Sequence, residues 1–415
     1  MESFIAAALA DIHGLILFCK DKPVLTALKT LLERFLEDPP PSGRTLVAAW
    51  ASFLRALAQT GAASFYNAVA DAALIDDNLF TRALEKGADT AVPPLFLALG
   101  KADLSRLGRI ARFEAGALGL FLAQRLERSG FADLAENITS ESQAVSRGAR
   151  PLPDLFPQYA DWSESLPGFA AYLRDKGAGE LGVYHAFRWD SRRSSLKPAR
   201  NPDTVRLADL AGYEDQRRVV VENTLRFLEG AGANNLLLYG DRGTGKSATV
   251  KAVCNEYARR GLRLVEAARQ DLRRLPAILK RLSSRALRFI LFIDDLSFES
   301  VDQSFTALKR LLEGGIEAKP DNVAVYATSN RRHLVKERLA DRPAAAPAAD
   351  DMRGFDTMQE QFSLADRFGV TVIFTAPAQD AFLHIAEHIA ERRGLLPAAE
   401  DAEARSRFRA DALRW

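Results

Sequence analysis

The sequence predicts an α/β protein in which helices cover both faces of a parallel sheet, preceded by an all-helical N-terminal domain. In residues 1–195 the apolar residues recur with the roughly 3.6-residue period of a helix. Beyond a polar joint at 190–203, short apolar runs alternate with helical segments, which is typical of parallel strands buried on both faces. The five runs lie at 234–239, 263–268, 289–293, 323–327 and 370–374.

Length, charge and cysteine content limit the class of protein. The 415 residues suffice for about two or three domains. The 56 basic and 54 acidic residues nearly cancel, so the net charge predicts neither a nucleic-acid nor a membrane partner. No stretch reaches the roughly 18 apolar residues of a membrane span, and the apolar run at 1–22 lacks a basic leader. The two cysteines, Cys19 and Cys254, suit a reducing compartment, and we expect a cytoplasmic protein.

The helical half shows no catalytic constellation. Its turn-like breaks lie near residues 40, 92 and 150. The isolated histidines His13 and His185 are more typical of packed or surface residues than of metal ligands. We expect this domain, residues 1–195, to recognise a partner protein that the sequence does not identify.

A phosphate-binding pattern follows the run at 234–239 and opens a predicted helix. The stretch "GDRGTGKS" fits G-x-x-x-x-G-K-[ST] with Gly240, Gly245, Lys246 and Ser247. The glycines let backbone N–H groups surround phosphate oxygens, and the helix N-terminus adds partial positive charge. Lys246 is expected to reach the β- and γ-phosphates, and Ser247 to bind Mg²⁺. The residues expected to contact ATP here are Gly240, Asp241, Arg242, Gly243, Thr244, Gly245, Lys246, Ser247 and Ala248.

Two later strands end in polar residues that suit the same chemistry. Asp294 is expected to hold the Mg²⁺ water shell beside Ser247, and Asp295 stands where a water-polarising base is needed. Aspartate is one methylene shorter than the glutamate of many such ATPases. Either the attacking water lies closer, or Glu299 contributes, or hydrolysis is slow. Asn330 is expected to bind the γ-phosphate or the attacking water.

This ordered set resembles the motifs of the AAA+ superfamily. Gly240 to Ser247 resemble Walker A, Asp294-Asp295 Walker B, Asn330 sensor 1, and "LADRFG" the arginine-finger box. More specifically, several stretches resemble the uncharacterised bacterial ATPases grouped as domain of unknown function 815, over roughly residues 180–415. Those stretches are "DLAGYEDQ", "LLLYGDRGTGKS", "FIDDLSFE", "LLEGG", "YATSNRRHL" and "LADRFG".

The resemblance implies an AAA+ nucleotide-binding domain at 196–378 and a small helical lid at 379–415. It also implies that the segment from Leu210 to Tyr213 approaches the adenine, with Gly212 and Tyr213 as contacts. The lid departs from the family pattern, because no second sensor arginine is clear. The nearby candidates are Arg405, Arg407 and Arg409. Three explanations stay open: the lid is abbreviated, the chain is a truncated product, or the role of the second sensor arginine is absent.

The arginine-finger box implies an oligomer. By the resemblance, Arg367 enters the nucleotide site of a neighbouring subunit, so a homo-oligomer is expected. The alternative is an ion pair, between Asp366 and Arg367 or at a helix terminus, of the kind that contributes little. The stretch at 341–354 is rich in Ala, Pro and Asp, and we expect either a mobile loop or a short ordered insertion.

The predicted function is Mg²⁺-dependent ATP hydrolysis coupled to remodelling of a macromolecular partner. The alternative is an ATP-gated scaffold or binding module that hydrolyses slowly. A third alternative, an ATPase that loads a partner onto nucleic acid, is less supported. Ten basic residues lie within 259–288 and could contact a nucleic-acid backbone, but no aromatic residues that could stack on bases are interleaved with them. A small-molecule kinase lacks support because it needs an acceptor pocket rather than a sensor asparagine, and a GTPase is disfavoured because the sequence has no N-K-x-D motif. "HIAEH" at 384–388 matches a zinc-protease pattern without an evident third ligand.

Overall fold

The protein divides into two compact units, Met1–Val183 and Tyr184–Trp415. The computed structural model describes residues 2–19, 21–38, 41–87, 92–125, 155–296, 303–313, 319–330, 367–395 and 401–414. The division lies before the predicted boundary at residue 195, because residues 186–190 and 195–198 are strands of the second unit's sheet.

The first unit is helical throughout its described residues and has one apolar core. Trp50, Phe80 and Trp162 are fully buried in this core. Ser42 caps the helix Gly43–Thr60 by accepting a hydrogen bond from the Thr45 backbone N–H. The helices are Glu2–His13, Pro23–Phe35, Gly43–Thr60, Phe65–Leu74, Leu79–Lys86, Pro94–Ala111, Ala115–Arg125, Leu166–Lys176 and Glu180–Val183, with a 3₁₀ segment at Trp162–Ser165.

The second unit is built on a seven-stranded sheet in the order β2-β1-β4-β5-β6-β3-β7. Only the β1–β2 pair is antiparallel; the other described pairs are parallel. The five predicted strands are all present, as β3 to β7. The strands are β1 Ala186–Asp190, β2 Ser195–Pro198, β3 Leu236–Gly240, β4 Leu262–Glu266, β5 Arg288–Ile293, β6 Val323–Ser329 and β7 Val370–Phe374.

The first two strands correct the sequence analysis, which placed β1 in the helical half and β2 in the polar joint at 190–203. β1 is short and its buried residues are interrupted by the exposed Arg188, and β2 is at most half-buried. The edge strand β2 and its neighbour β1 therefore lack the continuous apolar run that identified the central strands. Strand β1 joins the parallel sheet through β4, with Phe187 paired to Val265.

The central strands are buried on both faces, as predicted for a parallel sheet covered by helices. Every residue of β3 and β6 is buried. This architecture, preceded by a helical unit, confirms the predicted fold class. Within the described residues, no helix is both long and apolar enough to cross a membrane. The helices of the second unit are Glu214–Leu228, Lys246–Tyr257, Leu275–Ser283, Gln303–Glu313, Gln379–Arg392 and Ala402–Arg414.

Candidate functional site

The phosphate-binding pattern forms a loop between β3 and the helix Lys246–Tyr257, as the sequence predicts. Gly240 has a φ of 137°, and a Cβ atom there would lie 2.0 Å from the Phe374 carbonyl oxygen. Only glycine permits this approach of two strands. Gly243 and Gly245 also have positive φ values, 77° and 85°, and a Cβ at either would meet nothing within 4 Å. The loop thus combines left-handed backbone with open space beside it.

The Lys246 side chain is buried and turns back onto the loop. Its Nζ donates to the carbonyl oxygens of Gly240 at 3.1 Å and Asp241 at 2.5 Å. Burial lowers the pKa of the Lys246 ammonium below its ordinary value, and the carboxylates of Asp241, Asp295 and Asp294 act in the opposite direction. The lysine is therefore a cation held at the mouth of the loop by acceptors that a phosphate oxygen can replace.

Ser247, Asp294 and Thr328 meet at one point. The Ser247 hydroxyl donates to Asp294 Oδ1 at 2.6 Å, and the Thr328 hydroxyl donates to the same oxygen at 2.6 Å. The two carboxyl ends of β5 and β6 and the start of the loop helix supply these residues. A serine hydroxyl and a carboxylate are the hard oxygen ligands that Mg²⁺ prefers.

Asp295 and Asn330 form a second pair beside the first. Asn330 Nδ2 donates to Asp295 Oδ1 at 2.7 Å. Asp295 has a φ of 50°, which aspartate tolerates better than most residues, and its backbone N–H donates to the Thr328 hydroxyl at 2.9 Å. The predicted base and the predicted sensor are thus in direct contact. Glu299, the alternative base, lies outside the described residues.

Gly212 and Tyr213, predicted to approach the adenine, lie just before the helix Glu214–Leu228. Both have positive φ values. The Tyr213 hydroxyl donates to the Thr375 carbonyl oxygen at 2.7 Å, and its ring packs 5.2 Å from that of Phe374. Burial raises the pKa of the Tyr213 phenol, and the Asp241 carboxylate adds to this shift. Tyr213 and the phosphate loop therefore border the same segment after β7.

Arg367 lies three residues before the first residue of β7, Val370, which pairs with Leu236 at the start of β3. The phosphate loop follows the other end of β3, after Gly240. Val370 and the start of the loop are separated by the length of β3, four steps of about 3.3 Å each. Arg367, which precedes Val370, is therefore on the order of 15 Å from its own loop. Asp366, the residue named in the ion-pair alternative, lies outside the described residues, as does the stretch 341–354.

The basic stretch 259–288 does not form a single solvated face. Arg263 and Arg285 are buried, and Arg263 Nη1 donates to the carbonyl oxygens of Ala258 and Leu262. The Arg288 guanidinium lies 5.2 Å from the centre of the Phe227 ring. Several of these cations thus have structural partners, which weakens the pattern as a nucleic-acid surface.

The histidine pattern at 384–388 lies on the helix Gln379–Arg392. Its Glu387 accepts a hydrogen bond from Arg409 Nε at 2.5 Å, and this bond lowers the pKa of the Glu387 carboxyl. Arg407 pairs with Glu403 along its own helix. Two of the three sensor candidates are therefore engaged with glutamates of this helical pair.

Thr328 was missed as a site residue, although its signal was in the sequence. Side chains alternate along a strand, so Thr328 and Asn330 are expected on one face, two residues apart. The structure places both against the Asp294-Asp295 pair. The side-chain role of Asp241 had no local signal, because its partner is the backbone of Ala376, far along the chain.

The remaining loop residues lie around the same opening. Thr244 is buried and its hydroxyl donates to the Asp241 carbonyl oxygen at 2.9 Å, which closes the loop on itself. Arg242 is exposed, and Ala248 is half-buried in the first turn of the helix. The donor set of backbone N–H groups, one lysine, one serine and two aspartates fits a nucleotide phosphate with Mg²⁺.

Comparisons with solved structures give weak likenesses. A Thermotoga maritima RuvB Holliday junction branch migration motor is 16% identical, with a TM-score of 0.31; the match covers 46% of this chain and 54% of that chain. A structure described as DnaI is 18% identical, with a TM-score of 0.29, covering 47% of this chain and 96% of that chain. No curated protein matches the chain.

The family comparison is stronger. Residues 182–415, more than half of the chain, match the family described as "Protein of unknown function (DUF815)". The matched range begins next to the start of the second unit and includes the phosphate loop, the Asp294-Asp295 pair and Asn330. The resemblance predicted from the sequence is confirmed, and the chain belongs to the DUF815 family.

Proposed function

We propose that the second unit binds ATP with Mg²⁺ and hydrolyses it, and that hydrolysis remodels a macromolecular partner recognised by the first unit. The observation that carries this proposal is the meeting of Ser247 and Thr328 on one carboxylate oxygen of Asp294, beside the phosphate loop. Residues distant in sequence converge there on a small group of hard oxygens. Such a site has the chemistry of a metal–phosphate site.

The chain's own residues divide the work of the reaction. The loop N–H groups and Lys246 bind the phosphates, for which Lys246 exchanges its carbonyl acceptors for phosphate oxygens. Ser247 and Asp294 would hold Mg²⁺, which neutralises phosphate charge when bound. Asp295 accepts the proton of the attacking water, and Asn330 orients the carboxylate of Asp295. The acceptor in this proposal is water, so the proposed activity is hydrolysis.

Changing Asp294 to Asn and Asn330 to Ala separates two roles. We expect Asp294→Asn to weaken Mg²⁺-dependent turnover, because a neutral amide holds the cation poorly. We expect Asn330→Ala to preserve ATP affinity but to slow hydrolysis by about 100-fold, because the group that orients the base is lost. Phosphate release without any added acceptor measures the turnover of each variant, and titration with ATP measures its affinity.

The control is Asn201→Ala, which removes an exposed amide and should leave both quantities unchanged. If Asn330→Ala instead lowers affinity while turnover is unchanged, the sensor role is wrong. Phosphate release only after addition of an acceptor would indicate a kinase.

A second candidate is an ATP-gated scaffold that hydrolyses slowly. The observation that favours it is the contact of Asp295 Oδ1 with Asn330, which occupies the short side chain of the proposed base. If Asp295 is too short, Asp295→Glu should raise turnover about tenfold by extending the base toward the water. If Asp295 is well placed, the longer side chain is displaced from Asn330 and turnover falls. We expect the fall, measured as phosphate release at saturating ATP.

The assembly and partners are proposed on separate grounds. Arg367 lies far from its own phosphate loop, which supports a role in a neighbouring subunit and therefore a homo-oligomer. The first unit, with its own core, is proposed to bind a protein partner. A nucleic-acid partner is less supported, because Arg263 and Arg285 of the basic stretch are buried and Arg288 packs on the Phe227 ring. We also propose residues 379–415 as the lid of the nucleotide site, and a cytoplasmic location.

A further inference from the structure

Asp241 ties the phosphate loop to the end of β7 and to the segment that follows it. Its backbone N–H donates to the Phe374 carbonyl oxygen at 2.9 Å, and its Oδ2 accepts from the Ala376 backbone N–H at 2.7 Å. We propose that the Asp241 side chain is a positioning residue that couples occupancy of the phosphate loop to the helix Gln379–Arg392. This inference rests on the proposed nucleotide binding and adds the path by which binding is sensed.

The segment after β7 is short enough to transmit a displacement. Only Pro377 and Ala378 separate Ala376 from the first residue of the helix, Gln379. Proline fixes its own φ and restricts the residue before it. Ala378 is extended and provides no side-chain cap. A shift of the Ala376 amide therefore reaches the helix start through a stiff connection.

The same helix is also held at the predicted adenine side. Ile385 lies so close to Gly212 that a Cβ there would be 2.9 Å from its Cδ1. Arg392 forms an ion pair with Asp209. The Tyr213 hydroxyl bonds the Thr375 carbonyl oxygen in the connecting segment. The helix thus contacts residues 209–213 directly, whereas Asp241 gives it a connection to the phosphate loop.

The charge of Asp241 indicates that its side chain does not serve to bind phosphate. A carboxylate in a phosphate loop repels the ligand, and Oδ2 of Asp241 is already engaged with the Ala376 backbone N–H. Phosphate entry changes the surroundings of Asp241 twice. It brings negative charge near the carboxylate, and it draws Lys246 away from the Asp241 carbonyl oxygen. Both changes act on the residue that holds Ala376.

Hydrogen exchange of the full chain, followed by mass spectrometry on peptides covering 375–392, tests the coupling. Without nucleotide, we expect Asp241→Ala to speed exchange of the Ala376 amide about tenfold, because its acceptor is lost. At saturating MgAMP-PNP, we expect the wild type to change exchange in the helix and Asp241→Ala to show no such change. Asp241→Asn retains an acceptor oxygen and should restore the slow exchange of the Ala376 amide.

Two further variants make the result specific. Asp380→Ala removes another exposed carboxylate in the first turn of the same helix and should respond like the wild type. Ala376→Pro removes the donor of the same hydrogen bond instead of the acceptor, so it should also lose the response. It tests the coupling independently if Asp241→Ala fails to fold.

The failures of the two proposals are distinguishable. If the wild type binds MgAMP-PNP and either Asp241→Ala or Ala376→Pro keeps the wild-type response, the coupling is overturned while the nucleotide site stands. If the wild type itself does not bind MgAMP-PNP, the proposed function fails and the coupling falls with it.

Discussion

Replacing Lys246 with alanine is expected to lower ATP affinity by about 100-fold, while the fold stays intact. The structure holds the Lys246 ammonium at the loop by hydrogen bonds to the carbonyl oxygens of Gly240 and Asp241. Two hydrogen bonds from a charged group to phosphate, at about 1.5 kcal/mol each, account for a loss of this size. The alanine removes a charge at the mouth of the loop and not a core side chain.

Titration with ATP measures the loss, and thermal unfolding without ATP checks the fold. Lys251→Ala is the matched control, because Lys251 lies on the same helix but pairs with Asp203 and should retain wild-type affinity. Undiminished ATP affinity in Lys246→Ala would show that the loop does not use its lysine for phosphate.

Replacing Arg367 with alanine is expected to reduce turnover by about 10³-fold, the size of effect seen for arginines that stabilise a transferring phosphoryl group. The arginine is half-buried before β7, at the end of the sheet opposite its own phosphate loop. It therefore acts only if a neighbouring subunit brings its phosphate loop to this edge. The same residue in a local ion pair would contribute little to turnover.

Mixing the two inactive variants distinguishes these roles. Arg367→Ala protein should regain activity when mixed with Lys246→Ala protein, because a mixed assembly joins an intact loop to an intact arginine. Wild-type activity per molecule should also rise with protein concentration as subunits associate. Normal turnover by Arg367→Ala at every concentration would remove the argument for an oligomer.

Much of the second unit follows from local patterns in the sequence. The continuous apolar runs identify β3 and β6 because both faces of each strand are buried. The phosphate loop is predictable because its glycines need positive φ values and its lysine and serine have a fixed spacing. Asp294 is predictable because parallel strands bring their carboxyl ends to one edge of the sheet.

The remaining features depend on contacts between distant residues. β2, Ser195–Pro198, has polar and proline residues and became a strand only by pairing with β1. The return of Lys246 to the loop carbonyls depends on the folded loop itself. Asp241 and Ala376 are more than a hundred residues apart, and no local periodicity relates them. Tertiary contacts therefore decide these features.

Equilibrium titration of the full chain with ATP, in the presence and absence of Mg²⁺, tests the central proposal most directly. We predict saturable binding of one ATP per chain, weakened when Mg²⁺ is removed and weakened again in Asp294→Asn even with Mg²⁺ present. Binding should also raise the unfolding temperature as the ATP concentration increases. No saturable binding at millimolar ATP with Mg²⁺, or binding that is indifferent both to Mg²⁺ and to Asp294→Asn, would contradict a metal–nucleotide site at Ser247 and Asp294.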